Sequence, residues 1–321
     1  MKSVRFAALL SNLPVSLAML GALAFLPAPA SAEPDELMQA PAQLDAPAPL
    51  GMQPVPRPVS YARSVDRAPK IKSEFALVVD QDTNEILMQK NPEEVSSIAS
   101  ITKLMTAIVT LDAGLPLDEE LQVQREDRTS VGWTGSSLRP GVRLTRGQAL
   151  HLALMSSENH AAQLLGRTYP GGVAAMVEAM NAKARELGMN DSNFADPTGL
   201  SPDNRSSPND LVLMVKAAYG FAQIREFSVS TAYDIRMGKR LVRYQNTNRL
   251  TSHTDWQIGL QKTGYINAAG RCLVMQAVIE GRRVVMVLLD SMGRYSRFAD
   301  AQRIHDWLVA RASADRSLAL E

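Results

Sequence analysis

Cysteine is almost absent from this chain. Cys272 is the single cysteine in 321 residues, so no disulfide can form within the chain and a cysteine-rich metal site is excluded. Aromatic residues make up only 5% of the sequence, and 34 lysines and arginines against 33 aspartates and glutamates give a net charge of +1. Because nucleic-acid binding proteins carry a basic surplus, we expect no nucleic-acid partner. Stability must come from a packed core, for which 45% hydrophobic residues suffice.

Two common catalytic signatures are also missing from the sequence. It contains neither G-x-S-x-G nor H-E-x-x-H, and its four histidines, His151, His160, His253 and His305, lack the spacing of metal ligands. We therefore expect no metal and no cofactor. His151 and His160 are interpreted as structural or surface residues, and Cys272 as part of the core.

Long apolar runs are few, and the one near the N terminus is typical of a signal peptide. Lys2 and Arg5 precede an apolar stretch that ends at Leu26, and the small residues Ala30-Ser31-Ala32 form a cleavage site. Polar residues and prolines interrupt this stretch, which falls short of the about 20 residues that a membrane helix needs. We expect residues 1–32 to be removed during export, which leaves no transmembrane anchor.

The composition changes over residues 33–72, where eight prolines occur. This density disfavours helix and sheet and predicts an extended linker, with a ligand for a proline-recognition module as the alternative. The chain that follows is long enough for one sizeable domain, predicted at residues 73–311. Residues 312–321 are predicted to form a short tail.

Hydrophobic periodicity predicts strands at both ends of this domain and helices between them. The predicted strands are 75–80, 85–88, 257–262, 272–279 and 283–290. The predicted helices are 100–113, 145–155, 172–187, 207–218 and 297–310. This order predicts an α+β fold, in which an antiparallel sheet built from both ends of the domain is flanked by helices and carries an inserted all-helical subdomain. A cleft is expected between the sheet and the insertion.

Three short motifs are candidates to line that cleft. In Ser100-Ile101-Thr102-Lys103 a hydroxyl and an amine stand one helical turn apart on the same face. Ser157-Glu158-Asn159 follows at a junction between helices, and Lys262-Thr263-Gly264 ends a strand. Each motif is weak evidence alone, but this set in this order is typical of penicillin-binding proteins and class A β-lactamases. One departure is the Glu-Asn of the second motif, where Asp-Asn is usual.

On these residues the sequence resembles the low-molecular-mass penicillin-binding proteins, the serine D-alanyl-D-alanine peptidases of peptidoglycan. The resemblance extends from Phe75 to Leu308. It includes the stretches 98–107, 154–159, 194–200 and 246–250. The resemblance implies a β-lactamase/transpeptidase-like fold and a periplasmic location. It also implies that peptidoglycan stem peptides are the substrate and that β-lactam antibiotics are acylating inhibitors.

The resemblance assigns the catalytic roles to Ser100, Lys103 and Ser157. A serine hydroxyl is a poor nucleophile until a neighbour takes its proton, and a lysine can take that proton only when it is neutral. Ser100 would form the acyl-enzyme with Lys103 as general base, although the identity of the base is disputed in this superfamily. Ser157 would relay a proton to the leaving amine. Burial, the helix dipole and Lys262 are each expected to lower the pKa of Lys103.

Substrate binding is assigned by the same resemblance to Asn159, Lys262, Thr263, Gly264 and Tyr265. Asn159 would bind the substrate amide and hold the lysine base. Strand alternation sends Lys262 and Thr263 to opposite faces, whereas the resemblance implies that both reach the cleft, which an edge strand could allow. Gly264 would let the substrate approach the backbone, and the amide of Tyr265 would complete the oxyanion site begun by the amide of the nucleophile.

Several alternatives stay open within this superfamily. Class A β-lactamases have a deacylating glutamate that residues 193–200 lack, so we expect penicillin to be trapped as a slow ester. Anchored D,D-carboxypeptidases, which trim pentapeptides, continue into a β-rich domain and an amphipathic helix, for which 312–321 is too short. The sequence therefore resembles the D-alanyl-D-alanine endopeptidases of the penicillin-binding protein 7 type, which cut D-alanyl to meso-diaminopimelyl cross-links. A non-catalytic peptidoglycan-binding protein is a further alternative, which the intact motifs oppose.

Four charged residues near the motifs are expected to be exposed: Arg139, Arg143, Arg146 and Glu158. The alternatives are that the arginines contact anionic cell-wall peptide and that Glu158 assists deacylation.

Overall fold

The computed structural model describes residues 67–128 and 136–318. The predicted signal peptide (1–32) and the predicted linker up to residue 66 lie outside the described residues, and residues 67–72 contain no helix or strand. The strands are β1 (Ser73–Asp80), β2 (Ile86–Lys90), β3 (Ser96–Ser97), β4 (Glu120–Gln122), β5 (Arg143–Thr145), β6 (Arg205–Ser206), β7 (Ala232–Met237), β8 (Arg240–Gln245), β9 (Gln257–Ile266), β10 (Gly270–Ile279) and β11 (Arg282–Ser291). The helices are α1 (Lys103–Asp112), α2 (Arg146–Met155), α3 (Asn159–Arg167), α4 (Gly172–Glu186), α5 (Pro208–Tyr219), α6 (Ala222–Val229) and α7 (Ser296–Leu318).

The main sheet joins the two ends of the domain. Its five strands lie in the order β2-β1-β11-β10-β9, and every neighbouring pair is antiparallel. Leu77 pairs with Val287, and Val274 pairs with Lys262. The predicted sheet topology is confirmed, and β9 lies at one edge of the sheet.

Both faces of this sheet are buried. Because successive side chains of a strand point to opposite faces, Leu77 and Val79 enter one core while Ala76 and Val78 enter another. Helix α7 covers the second face with a stripe that includes Ile304. The inserted helices cover the first. Burial on both faces explains why these strands read as continuous apolar runs rather than as alternating ones.

The insertion between β2 and β9 contains helices α1 to α6. Helix α1 is central, since nearly all its residues are buried. The insertion is not entirely helical, however: three two-stranded sheets pair β3 with β6, β4 with β5 and β7 with β8. The prediction of an all-helical subdomain is therefore too simple, although helices dominate.

Helix ends follow the capping signals in the sequence. Thr145 Oγ1 accepts the amide of Gln148 and Gln148 Oε1 accepts the amide of Thr145, which forms a capping box at the start of α2. Ser207 caps α5 ahead of Pro208, at the start of the helix predicted over residues 207–218. Helix α7 continues to Leu318, past the predicted end at residue 310 and into the predicted tail, because no glycine or proline interrupts it. Within the described residues no helix is long and apolar enough to cross a membrane.

Candidate active site

The predicted nucleophile, Ser100, lies on a short 3-10 turn. This turn, Ala99–Thr102, leads directly into α1, whose first residue is Lys103. Ala99 has a φ of 48°, a left-handed conformation that is uncommon for residues with a side chain and that clusters at functional sites. The turn brings Lys103 Nζ to 2.8 Å from Ser100 Oγ, and Lys103 is fully buried. The predicted contact between hydroxyl and amine is confirmed.

The second motif forms the turn between α2 and α3. Ser157 adopts a φ of 60°, and Asn159 is the first residue of α3. Their side chains contact two different lysines. Lys103 Nζ donates to Asn159 Oδ1 at 2.7 Å, and Lys262 Nζ donates to Ser157 Oγ at 2.9 Å. The contact between Asn159 and Lys103 is present as expected, and the role of Asn159 in holding the lysine stays a prediction.

The third motif lies on β9, whose alternation is broken by a bulge. Gly259 has no partner in the register, which passes from Leu260 opposite Gln276 to Ile258 opposite Ala277. The bulge turns Ile258 toward the core beneath α7, whereas Leu260 lies in the other core. Simple strand alternation would place these two residues on the same face. Gly259 also packs so closely on Gln276 that a Cβ there would lie 2.2 Å from Oε1.

Lys262 and Thr263 make separate contacts at this edge of the sheet. Lys262 is fully buried and reaches Ser157, whereas Thr263 Oγ1 lies 2.7 Å from Thr247 Oγ1. The amide of Thr247 donates in turn to the carbonyl of Met155, just before the second motif. This geometry follows strand alternation. That the Thr263 hydroxyl reaches substrate stays a prediction.

The environment of Lys103 favours the neutral amine. Burial lowers its pKa to about 7, against the opposing charges of Asp196 and Glu158. Besides Ser100, its Nζ contacts Asn159 Oδ1 and the carbonyl oxygen of Thr198, the latter at 2.5 Å. Both of these atoms are acceptors, so they engage the two N–H groups of a neutral amine. In that neutral form the nitrogen lone pair would be left for the Ser100 hydroxyl, as a general base requires.

Lys262 is part of a second buried cationic group. Its pKa is lowered well below the usual value by burial, by Lys103 and by Arg297. Arg297, near the start of α7, is itself buried, and burial together with Arg271 lowers its pKa to about 10. Its Nε has no hydrogen-bond partner among the described residues. An anion entering the site would favour the protonated forms of Lys262 and Arg297, because a nearby opposite charge raises their pKa values. The sequence reasoning missed Arg297, which belongs to no motif.

Gly264 lets β9 approach the turn that carries the nucleophile. A Cβ at Gly264 would lie 2.8 Å from the carbonyl oxygen of Ile98 and 3.1 Å from the amide nitrogen of Ser100. The sequence predicts that Gly264 lets the substrate approach the backbone. The structure shows that it also lets β9 pack against the backbone of Ile98 and Ser100. The next residue, Tyr265, has an exposed side chain over whose ring Arg271 stacks at 4.3 Å. The oxyanion site between the amides of Ser100 and Tyr265 stays a prediction.

A loop organised by Asp196 forms another wall of the site. The carboxylate accepts the amides of Thr198, Gly199 and Ser201 and the side-chain amide of Asn204. These bonds aim the Thr198 carbonyl at Lys103. Gly199, at a φ of 78°, packs so closely on the nucleophile's turn that a Cβ would lie 2.0 Å from the carbonyl oxygen of Ala99. The loop was part of the resemblance, but its contact with the lysine was not expected.

Two of the four charged residues expected on the surface are buried. Glu158 is 7% exposed, because its carboxylate accepts the amide of His160 and the hydroxyl of Ser136. Arg146 is 2% exposed, because it pairs with Glu119 at 2.6 Å. Those two predictions are wrong. Arg139 and Arg143 are exposed, as expected.

The remaining chemically active side chains are structural. Cys272 is fully buried, and burial raises its pKa to about 12, so the thiol stays protonated. His151 stacks between Phe227 and Tyr233, and burial lowers its pKa to about 4. His160 contacts the carbonyl of Leu138. Across residues 67–128 and 136–318, no group of three or more histidine, cysteine, aspartate or glutamate side chains could hold a metal ion.

An α+β scaffold that holds a serine hydroxyl against a buried lysine, beside a second serine and a second lysine, defines a class: the serine acyl-transfer enzymes that penicillin acylates. Comparison with known proteins identifies the group within that class. The chain belongs to the D-alanyl-D-alanine carboxypeptidase family, whose sequence profile matches residues 62–293.

Similar proteins include two enzymes named D-alanyl-D-alanine endopeptidase. The one from Escherichia coli is 44% identical over 243 residues, which are 75% of this chain and 78% of that protein. The one from Pseudomonas aeruginosa is 43% identical over 241 residues, 74% of this chain and 78% of that protein. Among solved structures, a Streptomyces DD-transpeptidase matches with a TM-score of 0.70 and 27% identity over 75% of this chain and 98% of its own. The predicted fold class and family resemblance are confirmed.

Proposed function

We propose that this protein is a penicillin-sensitive D-alanyl-D-alanine endopeptidase of the periplasm, which cuts D-alanyl to meso-diaminopimelyl cross-links of peptidoglycan through an acyl-enzyme on Ser100. One observation carries the proposal: the Nζ of a fully buried lysine, Lys103, lies 2.8 Å from the Ser100 hydroxyl. The endopeptidase relatives support this substrate over others of the family.

Acylation begins with Ser100. As its Oγ attacks the D-alanyl carbonyl carbon, the hydroxyl proton passes to Lys103 Nζ, whose lone pair faces it. The negative charge that develops on the carbonyl oxygen is stabilised by the backbone amides of Ser100 and Tyr265. Asn159 keeps the lysine aligned and offers its amide to the substrate.

Collapse of this intermediate breaks the bond to the leaving amine. Ser157 relays to that amine the proton that Lys103 took from Ser100, which returns Lys103 to its neutral form. Lys262 Nζ donates to Ser157 Oγ at 2.9 Å and holds the hydroxyl in place. The free carboxylate on the D-centre of the leaving group is attracted by Lys262 and by the buried Arg297, and it is bound by Thr263. Water then attacks the ester carbonyl and passes a proton to Lys103. Lys103 returns that proton to Ser100 Oγ as the ester bond breaks, which releases the donor peptide.

Carboxypeptidase activity on pentapeptides is the second candidate. It is favoured by the description of the family profile. The bond cut in a pentapeptide also precedes a D-centre with a free carboxylate, so the same lysines and threonine serve either reaction. What separates the two substrates is the size of the leaving group, a single D-alanine or a whole stem peptide.

Purified muropeptides would decide between the two activities. We expect the enzyme to convert cross-linked dimers into monomers faster than it removes the terminal D-alanine from pentapeptide monomers. Trimming of monomers without cleavage of dimers would overturn the endopeptidase assignment. The Ser100→Ala variant is the matched control and should leave both substrates intact.

The proposal also assigns roles to the sequence segments that flank the catalytic domain. Residues 1–32 act as an export signal, residues 33–72 form a linker, and the catalytic domain extends from residue 73 through helix α7, which ends at Leu318. Expression of the full chain in a Gram-negative host, followed by N-terminal sequencing of the periplasmic fraction, should return Glu33 as the first residue. Recovery of an intact N terminus in the membrane fraction would contradict export with cleavage.

A further inference from the structure

Glu158 is the member of the second motif to which the proposed mechanism gives no role. Its side chain is nearly inaccessible, and both carboxylate oxygens are engaged. Oε2 accepts the backbone amide of His160 at 2.8 Å, and Oε1 accepts the hydroxyl of Ser136. A carboxylate held in this way is unsuited to activating water for deacylation.

The contact with His160 caps the helix that carries Asn159. Helix α3 begins at Asn159, and Glu158 is its N-cap residue. The side chain of an N-cap residue satisfies amides that the first turn leaves without partners, and a negative charge there also favours the helix dipole. The cap therefore fixes the first residue of α3, whose Oδ1 lies 2.7 Å from Lys103 Nζ.

The charge of Glu158 also acts on Lys103 directly. The groups around this amine are Ser100 on the adjoining turn, Asn159 and Glu158 at α3, the Thr198 carbonyl and Asp196 on their loop, and Lys262 on β9. Glu158 and Asp196 are the two carboxylates that raise the pKa of Lys103 against the effect of burial. Glu158 thus opposes desolvation without touching the amine.

We propose that Glu158 is a positioning residue for acylation, because its carboxylate fixes Asn159 through the helix cap and its negative charge balances the buried lysine base. The inference rests on the proposed function, since it concerns how the Ser100 hydroxyl loses its proton. If the pKa of the lysine is too low, the amine is a weak base. If the pKa is too high, the amine is protonated at neutral pH and has no lone pair to accept the serine proton. The carboxylate sets the balance between these two states.

The pH dependence of penicillin acylation tests the charge. Glu158→Gln keeps an oxygen that can accept the His160 amide but removes the charge. Without the carboxylate charge the pKa of Lys103 should fall, so the acidic limb of the acylation rate plotted against pH should move to lower pH by about one unit relative to wild type. Glu158→Asp retains the charge and should stay near the wild-type midpoint. Glu178→Gln removes an exposed carboxylate from α4 and should not shift the limb. An unshifted Glu158→Gln profile, or an equal shift in Glu178→Gln, would overturn the inference.

The acylation rate at the optimum pH tests the cap. Glu158→Ala loses both cap and charge, and we expect it to be acylated about tenfold more slowly than Glu158→Gln. Equal rates would contradict the positioning role. Should Glu158→Ala fail to fold, as judged by its melting curve, the comparison of Glu158→Gln with Glu158→Asp still decides. Absence of acylation in the wild type would instead refute the proposed function itself.

Discussion

Lys103 Nζ lies 2.8 Å from Ser100 Oγ, with the lysine fully buried at the start of α1. The short distance makes proton transfer possible. A lysine in water at neutral pH is almost entirely protonated, and burial lowers the pKa so that a neutral amine is present to act as a base. Asn159 and the carbonyl of Thr198 complete the arrangement by engaging the remaining hydrogens.

The first prediction concerns the pH dependence of acylation. Because burial lowers the pKa of Lys103 to about 7, the neutral amine should accumulate as the pH rises through that value. The second-order rate constant for acylation by a fluorescent penicillin should therefore increase between about pH 6 and pH 8 and then level off. Lys103→Arg, which stays charged throughout, should be slower by about 10²–10⁴-fold. A wild-type rate that does not change over this range would contradict Lys103 as the base.

The second prediction concerns Gly264. In Gly264→Ala the new methyl group would lie 2.8 Å from the carbonyl oxygen of Ile98 and 3.1 Å from the amide nitrogen of Ser100. Both are backbone atoms, which cannot rotate away. Strand β9 should be pushed from the Ser100 turn, which opens the oxyanion site and slows acylation by about 10²-fold or more. Gly238→Ala is the control, since a Cβ there meets nothing within 4 Å. Near-normal acylation of Gly264→Ala would show that this close approach does not matter.

The third prediction concerns the stability of the loop that Asp196 organises. Burial opposes its ionisation, but hydrogen bonds from Thr198, Ser201 and Gly199 outweigh burial and hold the pKa of Asp196 below its usual value. A lowered pKa means that this carboxylate stabilises the fold above its unfolded value near 4 and that the contribution is lost as the pH falls through the folded value. Asp196→Asn should lower the free energy of unfolding by about 1–3 kcal/mol at pH 7.

Urea unfolding at two pH values checks this prediction. The difference between wild type and Asp196→Asn should shrink at about pH 3 relative to pH 7, because acid protonates the wild-type carboxylate and not the amide. A difference that stays constant with pH would indicate that the charge of Asp196 contributes nothing and that only its shape matters.

The fourth prediction concerns the fate of the penicilloyl ester. Residues 193–200 lack the deacylating glutamate of class A β-lactamases, and the one carboxylate there, Asp196, is committed to the hydrogen bonds of its loop. Hydrolysis of the ester should therefore be slow, so that a chromogenic β-lactam gives a burst of about one equivalent and little turnover afterwards. Rapid continuous turnover would refute this expectation.

Sequence patterns predicted those elements of the fold whose own residues carry a signal, such as hydrophobic periodicity or turn residues. The hairpin of β1 and β2, the capping box of α2 and the antiparallel strands β10 and β11 all have periodicity or turn residues of their own. The bulge at Gly259 could not be predicted, because the contacts at this glycine are with Gln276 on the neighbouring strand and Tyr219 on α5, which no local pattern reveals. The β7–β8 hairpin was missed because its residues are mostly exposed or half-buried, so no apolar pattern marks it.

The motifs predicted the residues of the site but not the groups that surround them. The Thr198 carbonyl is a backbone atom with no sequence signature, and it reaches Lys103 across 95 positions of the chain. Arg297 and Glu158 were missed or misjudged for a similar reason, since burial of a charge depends on partners that are distant in the sequence or in another element. Arg146 likewise depends on Glu119, a pairing that no local spacing reveals.

Fluorescent penicillin labelling of the wild type and of Ser100→Ala tests the central claim most directly. If Ser100 is the nucleophile that Lys103 activates, the wild type should acquire one penicilloyl group on the peptide containing Ser100, and Ser100→Ala should acquire none. Intact-protein mass spectrometry, followed by peptide mapping, reads both results. Equal labelling of the two proteins, or no labelling of either, would contradict the acyl-enzyme on Ser100.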